Sequence, residues 1–133
     1  MADKVTFELV SPSRLLASED VDMVVVPGEE GDFGVMPGHT PVLSTVRAGV
    51  VDIHNDGQVT KRLFVEGGFA EATDERCTVL AEEATPLDEI TAEAAGERLA
   101  KAQEALNSAD DESRDAVEKE LRTAEVLAQA VGR

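Results

Sequence analysis

A turn-rich stretch, Gly31 to Val50, constrains the fold of this 133-residue chain more than any other. Three glycines and two prolines lie within its first eleven residues. The segment Met36 to His39 predicts a type II turn, because proline presets φ at the second position and glycine tolerates positive φ at the third. Thr40 precedes a proline and is expected to be extended. We predict a shaped loop that presents Asp32 and His39 beside apolar strands.

Short strands separated by turns are predicted throughout residues 1–85. Val5, Phe7 and Leu9 alternate with polar residues, which is typical of a half-buried strand. The segment Asn55 to Gly57 lies between two β-prone segments and predicts a hairpin. The other predicted strands are Arg14 to Ala17, Asp20 to Pro27, a strand from Val42, Gly49 to His54, Gln58 to Val65, Phe69 to Thr73 and Arg76 to Ala81. This spacing indicates an antiparallel β-sandwich or flattened barrel.

The composition changes to that of helices at Thr85 and Pro86, and a helix is predicted to start between Thr85 and Asp88. Apolar residues then repeat at intervals of three and four, which predicts a two-helix antiparallel hairpin over residues 86–133. The predicted seam consists of Ala92, Ala95, Leu99, Ala102 and Leu106 in the first helix and Val117, Leu121, Ala124, Ala128 and Val131 in the second. The fold class is therefore β + α.

The net charge of −16 excludes two classes of partner. Such a surface repels phosphate backbones and anionic headgroups, so neither nucleic acid nor lipid is expected to bind directly. The apolar run Met23 to Pro27 is far too short to span a membrane. Any membrane association is therefore expected to go through another protein. The single cysteine, Cys77, permits no internal disulfide.

The sequence predicts neither a catalytic nor a metal site. Gly28, Gly31 and Gly34 have phosphate-loop spacing, but no lysine accompanies them and nearby acids would repel an anion. His39, Asp32 and Ser44 are the residue types of a hydrolase triad, yet nothing in the sequence brings them together. Two histidines and one cysteine are few ligands for a transition metal.

Several motifs in this order resemble the epsilon subunit of the bacterial F-type ATP synthase, the counterpart of the mitochondrial delta subunit. They are the GDFG of Gly31 to Gly34, the PGHTP that begins at Pro37, the RAGVV that begins at Arg47, the VEGGFAEA that begins at Val65 and the TVLA that ends at Ala81. The likeness extends over nearly the whole chain, including the helical tail.

The resemblance implies a non-catalytic rotor subunit that couples proton flow to ATP synthesis on other subunits. The sandwich would bind the gamma subunit and rest on the membrane ring of c subunits, with Asp32 and His39 as the residues that contact the c-ring. The chain would lie at the cytoplasmic face of the inner membrane and reach the membrane only through other subunits.

The resemblance also implies two properties of the tail. Some relatives bind ATP there through a motif like I/L-D-x-x-R-A, whereas Thr91 occupies the arginine position here. Asp88 and Arg98 are the candidate nucleotide-binding residues, and tight binding of ATP or of any other cofactor is not expected.

In many relatives the second helix extends and inhibits ATP hydrolysis through basic residues that meet an acidic segment of the beta subunit. Residues 87–133 hold twelve acidic and six basic residues here, a net charge of −6. The tail is therefore expected to be at most a weak inhibitor that touches the alpha and beta subunits rarely, with its helices folded against the sandwich.

Two other functions fit the same sequence. A free-standing regulatory module could sense ATP with its helical hairpin, and titration with ATP would distinguish it. An assembly adaptor could use the hairpin to hold another protein. Only a rotor subunit should co-purify with stalk and ring proteins from membranes.

Overall fold

A computed structural model describes residues 4–132. This part of the chain forms ten β-strands, a short 3-10 turn and two α-helices. The strands are β1 (Val5–Ser11), β2 (Arg14–Val21), β3 (Met23–Gly28), β4 (Gly31–Val35), β5 (Val42–Val46), β6 (Gly49–Asn55), β7 (Gln58–Val65), β8 (Gly68–Ala72), β9 (Arg76–Ala81) and β10 (Ala84–Pro86). The 3-10 turn covers Leu87–Glu89, and the helices are α1 (Ala92–Asn107) and α2 (Arg114–Val131). The chain divides into two compact units between Leu87 and Asp88.

The ten strands form one sheet that nearly closes on itself, which confirms the predicted sandwich or flattened barrel. The strand order is β10-β7-β6-β3-β5-β8-β9-β1-β2, with β4 paired to β3. Lys61 of β7 and Glu19 of β2 form an ion pair of 2.8 Å near the two ends of this order. The pairing of β1 with β9 is parallel, whereas the sequence predicted antiparallel pairs throughout. No tight turn joins β1 to β9, so their relative direction is not fixed by a hairpin.

The core of the sheet is almost entirely aliphatic. Among the described residues, Phe7 and Phe64 are the buried aromatic side chains, and the other buried hydrophobic residues of the sheet are valine, leucine, isoleucine, alanine and cysteine. Leu9, Ile53 and Val79 are completely buried. Each fully buried side chain of this size stabilises the fold by about 1.5–3 kcal/mol. Burial alternates along β1 as the sequence predicted, since successive strand residues point to opposite faces.

The predicted hairpin turn is confirmed. Asp56 and Gly57 connect β6 to β7 with φ values of 55° and 75°. Positive φ at both central residues is the geometry of a type I′ turn, which matches the twist of the flanking strands.

The stretch from Gly31 was predicted as loop, but its first five residues form β4. This strand pairs with β3 from Val24 opposite Val35 to Gly28 opposite Gly31. Its glycines lower β-propensity, yet tertiary pairing outweighs propensity here. At Gly34 an added Cβ would lie 3.3 Å from the sulfur of Met23, so the glycine leaves room for that side chain.

The predicted helix start between Thr85 and Asp88 is also wrong. Ala84 to Pro86 pair with β7 as strand β10, and a 3-10 turn follows. Helix α1 begins at Ala92, where the Thr91 hydroxyl accepts a hydrogen bond from the Ala94 N–H at 3.0 Å. The N-cap of α1 is therefore Thr91, the residue that replaces the arginine of the ATP-binding motif found in some relatives.

The helices bury a narrower apolar surface than the sequence predicted. In α1 only Ala95 and Ala102 are buried, while Leu99 and Leu106 are half-buried and Ala92 is exposed. In α2 the buried residues are Thr123, Ala124, Leu127 and Ala130, and the predicted Val117, Leu121, Ala128 and Val131 are half-buried. Because a helix has 3.6 residues per turn, the residue that follows on the same face can be three or four positions further on. After Ala124 the buried residues are Leu127 and Ala130, whereas the sequence analysis chose Ala128 and Val131.

Asp22 joins the β2–β3 turn to the β6–β7 hairpin. Its carboxylate accepts the Asp56 N–H at 2.6 Å and forms an ion pair of 3.0 Å with Lys4. Its own N–H donates to the Asn55 side-chain oxygen at 3.1 Å. The Asp56 hydrogen bond, and then Lys4, lower the pKa of Asp22 below its usual value of 3.8.

We expect Asp22→Asn to destabilise the protein near neutral pH but not in strong acid. A lowered folded-state pKa stabilises the protein above the unfolded pKa, and this contribution is lost as pH falls through the folded pKa. The melting temperatures of the two proteins should therefore converge only below about pH 4. Lys4→Met keeps the Asp56 hydrogen bond and should retain most of the pH-dependent term. A difference between Asp22→Asn and the natural protein that is constant from pH 7 to pH 2 would contradict this assignment.

Candidate functional site

The type II turn predicted at Met36 to His39 is present. The His39 N–H donates to the Met36 carbonyl at 3.1 Å, and Gly38 has a φ of 87°. The Gly38 N–H also donates to the Asp74 carbonyl at 2.8 Å, which ties the turn to the β8–β9 connection. These bonds give the loop a fixed shape. Met36 is 55% exposed at its beginning.

Asp32 lies in β4 and is paired within the chain. Its carboxylate accepts a hydrogen bond from Arg47 Nη2 at 2.7 Å. The same guanidinium donates from Nη1 to the Gly28 carbonyl at 3.2 Å. Arg47 therefore holds both ends of the β3–β4 turn. Both charged side chains are about half exposed, so they are also accessible to a partner.

His39 lies against the neighbouring residue of β4. Its ring centroid is 6.5 Å from that of Phe33, and Nδ1 lies 2.6 Å from the Thr40 carbonyl. A carbonyl can only accept, so Nδ1 carries the hydrogen of this contact. Asp32 and Phe33 are adjacent and point to opposite faces of the strand. We call the region around the two polar side chains Asp32 and His39 the loop surface.

A second surface was not predicted from the sequence. The outward residues of four neighbouring strands form a row in register. Phe69 of β8 is opposite Leu80 of β9, Leu80 is opposite Val10 of β1, and Val10 is opposite Leu15 of β2. Phe69, Leu80 and Leu15 are each more than half exposed. We call these four residues the apolar row. Leu43 of β5 lies on the same face, two residues from Thr45, the partner of Phe69, and is 71% exposed.

The sequence held a signal for this row. In β8 the outward residue Phe69 and the inward residue Ala70 are both apolar, and in β9 the same holds for Leu80 and Val79. A half-buried strand normally has a polar residue at the outward position, and these two strands lack one at these points. Contiguous exposed apolar surface of this kind marks interaction sites on soluble proteins.

The two candidate nucleotide-binding residues, Asp88 and Arg98, lie in different elements and have different surroundings. Asp88 lies exposed in the 3-10 turn, ahead of the helix cap. Arg98 of α1 forms two hydrogen bonds with Glu120 of α2, from Nε to Oε2 at 2.8 Å and from Nη2 to Oε1 at 2.9 Å. These bonds hold the pKa of Glu120 below its usual value of 4.5. Glu120 was not singled out in the sequence, because nothing marks a pair formed across 22 residues.

Cys77 and Ser44, the two potential nucleophiles considered in the sequence analysis, both have structural roles. Cys77 is fully buried, and desolvation raises the pKa of its thiol to about 12. The Ser44 hydroxyl donates to the Thr45 carbonyl at 2.9 Å. Within residues 4–132 no group of three or more His, Cys, Asp or Glu side chains could hold a metal ion. Neither helix of this part of the chain is long and apolar enough to cross a membrane.

Comparisons with known proteins identify the family. The family described as ATP synthase, Delta/Epsilon chain, beta-sandwich domain matches residues 4–87. The ATP synthase epsilon chain of Paramagnetospirillum magneticum is 54% identical over 98% of this chain and 99% of that protein. The chain belongs to the ATP synthase delta/epsilon family. The epsilon chain of Rhodospirillum rubrum is 53% identical over 98% of this chain and 96% of its own length.

Solved structures share the fold of this family member. A chain in the Euglena gracilis mitochondrial ATP synthase, solved as OSCP, F1 and c-ring, matches with a TM-score of 0.87 and 25% identity over 98% of this chain and 83% of that chain. A chain in the Tetrahymena thermophila central stalk and c-ring structure matches in fold, with a TM-score of 0.67 and 14% identity over 96% of both chains. The resemblance inferred from the motifs is confirmed. An epsilon chain is a non-catalytic subunit of the ATP synthase, so this family member is not itself an enzyme.

Proposed function

We propose that this chain is the rotor subunit that links the gamma subunit of a proton-translocating F-type ATP synthase to its c-ring. Family membership over the whole chain supports the subunit assignment. The Euglena structure with the similar chain contains F1 and the c-ring, which supports these partners. The chain would lie at the cytoplasmic face of the inner membrane and reach the membrane only through those subunits.

The observation that carries the proposal is the presence of two different surfaces on one closed sheet. The apolar row offers a desolvated contact of the kind that supplies most of the affinity in protein interfaces. The loop surface is small and polar, which suits a contact that orients one partner. A link between two partners needs both contacts on a stiff body.

We assign the apolar row to the gamma subunit and the loop surface to the c-ring. A permanent contact with the stalk calls for the more hydrophobic surface, because obligate interfaces resemble a protein core cut in half. The polar loops of a membrane ring offer hydrogen-bonding groups instead. Asp32 would meet them with its exposed carboxylate, and His39 with Nε2 of its ring.

The tail is proposed to be a weak brake that does not bind ATP tightly. Arg98 already donates from Nε and Nη2 to the carboxylate of Glu120. A phosphate group would have to compete with Glu120 for these two donors. The tail's net charge of −6 disfavours an extended state against an acidic partner, because like charges would be brought together.

Leu80→Asp should abolish stable binding of the folded chain to the gamma subunit. The side chain is 57% exposed, so the substitution should be tolerated by the fold, while a carboxylate in the centre of an apolar contact should weaken affinity at least about tenfold. Val59→Asp, at a 37% exposed position in β7 outside the row, is the matched control. The measurement is affinity for purified gamma. Equal affinities for Leu80→Asp and the natural chain would remove the apolar row from this interface.

Replacing Asp32 and His39 together by alanine should weaken the coupling of proton flow to ATP synthesis. An exposed charge pair contributes about 1 kcal/mol or less, so the defect should be partial and largest at low ionic strength. Coupling is measured as ATP-driven proton pumping per ATP hydrolysed in membrane vesicles. The double change Asp20→Ala with His54→Ala removes the same residue types from β2 and β6. Full coupling at low salt in the loop variant would show that these two residues do not contact the ring.

Removing residues 88–133 should change ATP hydrolysis by the assembled enzyme less than about twofold, because repulsion keeps the brake mostly disengaged. The truncated chain keeps β10 and ends at Leu87, the end of the first compact unit. As a charge control, Glu118→Lys with Glu125→Lys in the full chain should increase inhibition. Several-fold activation by the truncation would show that the natural tail is a strong brake despite its charge.

A further inference from the structure

A bidentate ion pair joins the two helices. The guanidinium of Arg98 and the carboxylate of Glu120 form two parallel hydrogen bonds of 2.8 and 2.9 Å. This bidentate arrangement satisfies both carboxylate oxygens and is stronger than a single charged contact. Their side chains are 30% and 44% exposed, so the pair is partly screened from water.

The apolar surface that α1 contributes beside this pair is small. Both buried residues of α1 are alanines, Ala95 and Ala102, and its two seam leucines are only half-buried. Alanine buries little apolar area, so it contributes much less to association than a leucine would. Gly96 also weakens α1, because a glycine inside a helix costs about 1 kcal/mol relative to alanine.

The pair lies among alanines and charged side chains of both signs. A shallow depression on the hairpin is lined by Ala94, Ala102 and Ala105 together with Arg98 and Glu120. Glu97 and Lys101 also line the depression and carry opposite charges, so neither sign dominates around the guanidinium.

We propose that the Arg98–Glu120 pair is a latch that determines how often the helical hairpin opens. Because α1 contributes only alanines and half-buried leucines to a seam in which Leu127 of α2 is the one fully buried leucine described, loss of these two hydrogen bonds removes a substantial part of what holds α2 to α1. Closure of the hairpin is then a property of the chain itself, and it needs no bound nucleotide or other ligand. The latch is independent of the assignment of this chain to the rotor.

The test is hydrogen exchange of the full-length chain, followed by mass spectrometry of peptides from α2. Where reclosing is fast, exchange rates report the fraction of open molecules. Glu120→Gln and Arg98→Gln should each speed exchange in α2 about twofold to fivefold, as expected for loss of a partly exposed ion pair. Peptides from β1 and β9 in the same samples should be unchanged.

Three further variants make the test specific. Glu125→Gln removes the same charge from an exposed position of the same helix and should leave exchange unchanged. The double change Arg98→Gln with Glu120→Gln should speed exchange by less than the product of the two single effects, since both single changes remove the same shared interaction. The swap Arg98→Glu with Glu120→Arg should restore slow exchange at least in part. Natural exchange rates in Glu120→Gln, or single effects that add fully in the double variant, would overturn the proposal.

Discussion

Burial of aliphatic side chains inside the nearly closed sheet determines which residues face outward. Strand residues alternate between two faces, so a slip of one residue would expose the core and bury the surface. Gly68 helps to fix the register of β8 against β9, because a Cβ there would lie 2.1 Å from the Leu80 carbonyl oxygen. With Ala70 and Ala72 buried, Phe69 must point outward. The apolar row is therefore a consequence of the same register that forms the core.

Local chemistry made part of the fold predictable. The turn at Met36 to His39 and the turn at Asp56 and Gly57 depend on backbone preferences of proline and glycine, which act over a few residues. β1 follows from its own alternation. By contrast, β4 and β10 contain glycine or proline and become strands only because β3 and β7 supply hydrogen-bonding partners. Pairing of this kind cannot be read from a local sequence window.

The candidate site also has features that were predictable from the sequence and features that required the structure. The turn that holds His39 was predictable from its proline and glycine, whereas Asp32 was expected in the same loop and lies in strand β4 instead. The ion pair of Asp32 with Arg47 joins residues 15 apart and needed the three-dimensional structure, as did the contact of His39 with Phe33. The apolar row needed the register of four strands. Its members lie far apart in the sequence, and each alone is an ordinary exposed hydrophobic residue.

The net charge of −16 explains why an apolar surface and a small polar surface would have different roles in binding. A strongly acidic protein repels other acidic surfaces and gains little from scattered exposed ion pairs, which are screened by salt. Affinity for a permanent partner must then come mainly from desolvated apolar contact, and the row around Phe69 and Leu80 offers the exposed apolar area for it. Asp32 is largely neutralised by Arg47, so the loop surface adds little repulsion of its own. It can therefore orient a second partner without having to supply most of the binding free energy.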